Sequence, residues 1–247
     1  ALAAAASVGW QALLVICCGL VVSAAYSLPP TRICGRGAVA ALVLPACFVA
    51  VPYLLAVFAA TGGLSAGDLV LLLGLYVGFI GRILLKDFRD VRGDALFGKR
   101  TFLVRHGRSA TCRTSAVLWV AGSLVILLGV QSPTRTLAGT LLVCLAVSLW
   151  LLRVLAVDQG PRRDEAVISA IAVVGRGMML IVLAHLGMTN ASWSATASAA
   201  VLIVLTAITM GQAREMFRNG PRKAEVEIPG SVSLAGPQER SPTATTP

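Results

Sequence analysis

Seven apolar segments divide this sequence, at 8–26, 38–60, 66–85, 115–131, 136–152, 166–187 and 193–213. About 20 apolar residues in a helix cross the hydrocarbon core of a bilayer, and most of these segments are long enough to do so with little tilt. Inside lipid every backbone N–H and C=O must be satisfied by the element itself, which leaves helices or a closed barrel. The segments lack the strand-like alternation a barrel needs. The expected fold is therefore all-α, a polytopic transmembrane helical bundle over residues 1–213, followed by a disordered tail, 214–247, that is rich in Pro, Ser, Thr and Gly from Gly220. Composition removes the rivals: with 57% hydrophobic and 13% charged residues, the chain is neither a water-soluble globule, where about 25% charge is usual, nor disordered over most of its length.

Pro29-Pro30, Gly62-Gly63, Pro133 and Gly160-Pro161 fall at the segment boundaries, where turns need them. Pro45 and Pro52 lie inside the second segment and predict a kink there. The six cysteines form no C-x-x-C pair and sit mostly in apolar runs, which argues for small buried hydrophobes rather than disulfides or a zinc site.

The net charge of +10 would suggest nucleic acid in a soluble chain; here it reports sidedness, and no nucleic-acid partner is expected. Nineteen of the 21 Lys and Arg residues fall in alternate loops, at 28–37, 82–113, 153–165 and after 213. The opposite loops carry only Arg135, and Arg176 stands inside a segment. By the positive-inside rule the 19 are cytoplasmic, and the expected location is a bacterial plasma membrane. A mid-span charge such as Arg176 costs about 2.5–3.5 kcal/mol on insertion scales, so it is expected to face a cavity or an acid on another helix. His185, near the outer end of the same segment, reads as interfacial. The chain opens on Ala1 in Ala-rich sequence without the basic start of a signal peptide, and is read as beginning within a longer protein.

The 82–113 loop differs from the rest. Asp87, Asp90 and Asp94 are three of only 11 acids in the chain. Their i, i+3, i+7 spacing gathers them on one face if the third helix continues. Such a face at a membrane boundary suits Mg²⁺, an ion that bridges carboxylates to substrate phosphates. Lys86, Arg89, Arg92, Lys99, Arg100 and Arg105 surround it with positive charge. Equally, acids scattered in a basic loop only neutralise it.

Lys86–Gly107 resembles the second Asp-rich motif of the UbiA superfamily of intramembrane prenyltransferases, K-D-x-x-D-x-x-G-D followed by G-x-[KR]-T and V-R-x-G. The matches are Lys86, Asp87, Asp90, Gly93, Asp94, Gly98, Arg100, Thr101, Val104, Arg105 and Gly107. Tyr26-Ser27-Leu28-Pro29-Pro30-Thr31-Arg32 is similar to the family's Y-S-x-P-P-x-R segment. Together they extend the resemblance over about residues 10–187. The family's first motif, N-D-x-x-D-x-x-x-D, has no counterpart here and is expected upstream of Ala1, in a complete protein of about ten spans. Cys34 stands where the family often has Lys, and the last apolar segment has no family counterpart.

The resemblance implies Mg²⁺-dependent transfer of an isoprenyl group from an isoprenyl diphosphate to an aromatic or related lipophilic acceptor, at the cytoplasmic side of the membrane. Asp87, Asp90 and Asp94 would be the metal ligands, and Lys86, Arg32, Lys99 and Arg100 the diphosphate contacts. Tyr26 would donate to phosphate or stabilise an allylic cation through its ring; equally, it is an interfacial aromatic anchor. The Arg89-Asp90 and Gly98–Thr101 stretches lean toward the naphthoate branch, and Tyr26–Pro30 toward the chlorophyll and homogentisate branches. With only one of two Asp-rich motifs, this length of chain alone is expected to be inactive. The rival class is a polytopic transporter with a charged cytoplasmic gate loop, but Asp90-Val91-Arg92-Gly93-Asp94 places an acid where a common transporter loop needs a base.

Overall fold

A computed structural model of the chain describes residues 2–35, 37–89, 96, 101–130, 133–157 and 160–221. Among these residues all regular structure is helical. A short α1 (Leu2–Val8) leads into α2 (Trp10–Ser27). The second apolar segment forms α3 (Ala38–Pro45), a π-helical turn (Ala46–Ala50) and α4 (Val51–Thr61). Pro45 ends one helix and Pro52 sits in the first turn of the next, where a missing N–H costs nothing. The expected kink is thus a widened turn between the two prolines.

The remaining crossings are α5 (Ala66–Ile83), α6 (Phe102–Gly129), α7 (Arg135–Ala156), α8 (Pro161–Asn190) and α9 (Ala195–Asn219). Seven helical stretches are long and apolar enough to span a membrane, one for each segment read from the sequence. Side-chain caps set several starts. Ser65 and Asp68 form a reciprocal capping box on α5, and the hydroxyls of Thr101, Thr134 and Ser194 accept from backbone N–H groups three residues on.

The last helix runs on to Asn219, and the residues after 221 lie outside the described ones. α6 begins at Phe102, well before the apolar run at 115. Gly107 interrupts it with φ 77°, ψ 173°, a backbone conformation that favours glycine, and this accounts for the glycine of the V-R-x-G pattern.

α8 is the central element: 67% of its most apolar stretch is buried inside the bundle, against 11% for α2 and α9. It packs on α7 and α9 around Val167, Ile171, Val174, Ile181 and Val182. The α5–α6 pair is the closest crossing. A Cβ added to Gly74 would lie 2.7 Å from the Ile126 nitrogen, and one on Gly122 would lie 2.7 Å from the Gly78 nitrogen. Lipid tails are as apolar as leucine, so helices in lipid associate through such close backbone approach and interhelical hydrogen bonds. Ser115 Oγ donates to the Gly81 carbonyl at 2.8 Å across this crossing. Tyr76 OH donates to the Leu42 carbonyl at 2.6 Å and ties α5 to α3. Leu128, Val21 and Leu183 point outward, as lipid-facing positions do.

Three expectations change. His185, near the outer end of α8, is not open to the interface but 1% exposed, packed inside the bundle. All six cysteines are free, but only Cys112 and Cys144 are buried; Cys17 and Cys18 are exposed on α2. The third helix does not run unbroken to Asp87: α5 ends at Ile83, and a 3₁₀ turn covers Lys86–Arg89.

Candidate functional site

The turn after α5 positions the first residues of the acidic motif by burying its apolar members. In a 3₁₀ turn residues i and i+3 eclipse one another. Leu85 and Phe88 form one such pair, 1% and 5% exposed, and fix the turn on the bundle. Lys86 and Arg89 form the other, and both are exposed. Asp87 falls between these faces and is half-buried. The shared helical face expected for Asp87, Asp90 and Asp94 is therefore replaced, at Asp87, by a tighter turn held by hydrophobic anchors.

Phe88 is clamped from the far side. The Arg108 guanidinium lies over its ring at 5.0 Å and is paired twice with Asp164, Nη1 to Oδ2 at 2.9 Å and Nη2 to Oδ1. Arg108 comes from α6 just past the Gly107 break, and Asp164 from the first turn of α8. Arg89 Nη2 reaches Ser169 Oγ of α8 at 3.5 Å. A partly buried bidentate ion pair and one long contact thus tie the motif turn to the central helix.

Lys86 and Asp87 open onto a small cleft shared with Cys34, Gly37, Thr101 and Phe102. The 33–41 segment and the start of α6 are thereby brought against the motif. Cys34, at the position where the family often has Lys, lines the same cleft as Lys86 and Asp87. Tyr26 and Arg32 are not among its lining residues. Tyr26 is half-buried at the end of α2 and Arg32 is exposed in the following turn, where Thr31 Oγ1 donates to the Ala25 carbonyl at 2.9 Å. Asp90, Asp94, Lys99 and Arg100 lie outside the described residues.

Beside the motif an apolar cavity runs between α5, α6 and α8, lined by Gly74, Gly78, Phe79, Trp119, Met178 and others, with Arg82 as its one charged wall residue among the described residues. Arg82 stands at the motif end of α5, its guanidinium 5.8 Å from the Phe79 ring, within electrostatic range of Arg176 and Arg89. Arg176 is itself exposed on α8, and next to it Gly175 lines the cavity. The mid-span arginine, expected to face a cavity or an acid, thus stands beside a cavity-lining residue and within electrostatic range of a second arginine. Arg82 was visible in the sequence only as a charge near the end of an apolar segment; its convergence with Arg176 depends on how α5 packs against α8.

This arrangement, a basic and acidic turn at the end of an apolar cavity in a helical bundle, agrees with the comparison to known families. The model of the UbiA prenyltransferase family matches residues 1–174. The chain belongs to the UbiA prenyltransferase family. Membership carries membrane-embedded prenyl transfer as the general activity, and the match includes both the Tyr26–Arg32 segment and the acidic motif. No curated protein and no solved structure matches the chain.

UbiA family members generally use Mg²⁺ through Asp-rich motifs. Among the described residues no three His, Cys, Asp or Glu side chains gather as a metal cluster. The donors on the cleft fit the ion as far as they go: Asp87 offers hard carboxylate oxygen and Thr101 a hydroxyl, whereas Cys34 is soft and unsuited to Mg²⁺.

Proposed function

We propose that this protein transfers an isoprenyl group from an isoprenyl diphosphate to a lipophilic, aromatic-type acceptor, with the diphosphate held at the basic end of the bundle. The observation that carries this reading is Arg82 on the wall of an apolar cavity, within electrostatic range of Arg176 and of Arg89, which shares the motif turn with Asp87. Like charges in a water-poor site repel one another, and a multiply charged anion relieves that repulsion. Departure of diphosphate from an allylic carbon builds negative charge on its oxygens. Preorganised cations stabilise that charge best where water is excluded.

In this reading Lys86 and the three arginines orient the diphosphate, with Arg32, Lys99 and Arg100 as further contacts. Asp87, Asp90 and Asp94 would hold Mg²⁺, which when bound supplies a Lewis acid for the leaving group. The apolar walls of Phe79, Trp119 and Met178 take the isoprenyl chain and keep water from the allylic centre. Tyr26 is a candidate for turning its ring toward developing positive charge. The basic end is the cytoplasmic one by the distribution of loop charges. Family membership favours this reading over a transporter.

The test is transfer of a labelled isoprenyl diphosphate to a panel of aromatic acceptors by membranes holding the complete protein. Asp87→Asn should lower the rate about 100-fold, the scale of losing one preorganised stabiliser of transition-state charge. EDTA should abolish transfer and Mg²⁺ restore it. Full activity of Asp87→Asn removes that residue from the site, and EDTA resistance overturns the metal assignment.

A further inference from the structure

A second concavity, far larger than the motif cleft, lies on the outside of the bundle between α6 and α7. Its volume is about 620 Å³, and Ser109, Cys112, Arg113, Leu149, Trp150 and Arg153 are among its lining residues. We propose that it is a binding site for a phospholipid with an anionic headgroup, the phosphate held by Arg113 and Arg153 and an acyl chain lying in the groove. The proposal does not depend on the prenyl-transfer reading.

Depth is the first argument. Arg113 stands 16 residues before Gly129, the end of α6, and Arg153 stands 18 residues after Arg135, the start of α7. At 1.5 Å per residue both lie about 24–27 Å from the short connection between these helices. The hydrocarbon core is about 30 Å thick. Two exposed arginines that line one groove therefore sit at the inner edge of the hydrocarbon, within snorkelling reach of the phosphate layer.

Direction and charge are the second and third. Arg113 Nη2 donates to Ser109 Oγ at 3.1 Å, one helical turn nearer the motif end, so its side chain is aimed toward the headgroups rather than the bilayer centre. No carboxylate lines the groove among the described residues. Of the two acids at this end of α8, Asp164 is paired with Arg108, and neither it nor Glu165 lines the groove.

The groove also has a fixed aromatic wall. Trp150 is 52% exposed, and its ring lies 5.1 Å from Phe217 of α9. Phe217 in turn carries the Arg163 guanidinium at 3.8 Å, with Arg163 Nη1 donating to its carbonyl. Tryptophan at the interface presents an apolar face to a lipid chain and an N–H to its polar end. Apolar walls and paired cations between two helices, at the end where basic residues gather, form the recognition pattern of an anionic lipid.

The experiment is native mass spectrometry of the complete protein released from vesicles of equimolar phosphatidylglycerol and phosphatidylcholine. Each basic residue near an anionic surface contributes about a five-fold preference. The wild type should therefore retain phosphatidylglycerol over phosphatidylcholine by about 30-fold, and Arg113→Gln/Arg153→Gln should lose that preference at unchanged melting temperature. Arg113→Lys/Arg153→Lys, which keeps both charges, should retain most of it and covers the case where the glutamine variant folds poorly. Equal retention of the two lipids by the wild type overturns the proposal, as does an unchanged preference in the glutamine variant. Displacement of the lipid by millimolar inorganic phosphate would assign a free-anion site instead. Phosphatidylglycerol retention only after removal of residues 222–247 would make the tail the occupant, and an arginine-dependent dimer would make it a second copy; either result overturns the lipid assignment.

Discussion

Asp164 and Arg108 do at the scale of single residues what the hydrophobic segments do along whole helices. Asp164 is 7% exposed, and removing Arg108 leaves its carboxylate charged and desolvated, at a cost of up to about 3–5 kcal/mol. Asp164→Asn and Arg108→Gln are each expected to lower thermal stability in detergent by up to that order. Because Arg108 also covers Phe88, both should loosen the turn that presents Asp87. The reversed pair Arg108→Asp/Asp164→Arg should recover part of the loss, and a double variant no better than either single one would show that the two side chains act separately. Little of this was legible beforehand. The acidic motif was recognisable as a string of residues, but whether the third helix continued into it was left open, because the burial of Leu85 and Phe88 that selects a 3₁₀ turn depends on packing against elements far along the chain.

Between elements, the α5–α6 crossing is set by absent side chains. Gly74 and Gly78 are spaced as G-x-x-x-G, and Gly122 and Gly129 answer them on α6, where a Cβ on Gly129 would lie 2.7 Å from the Leu71 nitrogen. Backbone atoms cannot give way as a flexible side chain can. Gly122→Leu is therefore expected to destabilise the bundle by about 1–3 kcal/mol, the usual cost of overpacking, and to widen the crossing between α5 and α6. Gly139→Leu, where a Cβ meets nothing within 4 Å, should be close to neutral. Equal melting temperatures for the two variants in detergent would mean the glycines are not what holds the crossing. The same crossing shapes the wall of the apolar cavity, since Gly74, Gly78 and Gly122 all line it, so Gly122→Leu should also alter which isoprenyl lengths are accepted.

For the whole molecule, the seven helical stretches long enough to cross put the ends of α2, α5, α7 and α9 and the starts of α3, α6 and α8 on one side, and the α4–α5, α6–α7 and α8–α9 junctions on the other. Loop charge favours the first side as cytoplasmic. In a cysteine-depleted protein, Thr31→Cys should react with an impermeant maleimide only from the inside, and Gly63→Cys and Ser192→Cys only from the outside. The opposite pattern would invert the topology and move the motif cleft to the outer face.

The seven spans were legible in the sequence because a helix in lipid closes its own hydrogen bonds, so length and hydropathy, both local properties, suffice to announce it. The family motif was legible for a related reason, as residues and spacing alone carry it. Where helices begin was less so. α6 starts 13 residues before the apolar run at 115, since Thr101 caps it and the Arg108–Asp164 pair carries its basic first turns, which hydropathy scores as loop. The burial of His185, the approach of Arg82 to Arg176 and the meeting of Cys34 with Asp87 rest on side chains dozens of residues apart. Their proximity is set by which faces of the helices pack together, and within lipid that choice follows from close backbone contact and a few polar bridges that no single segment contains.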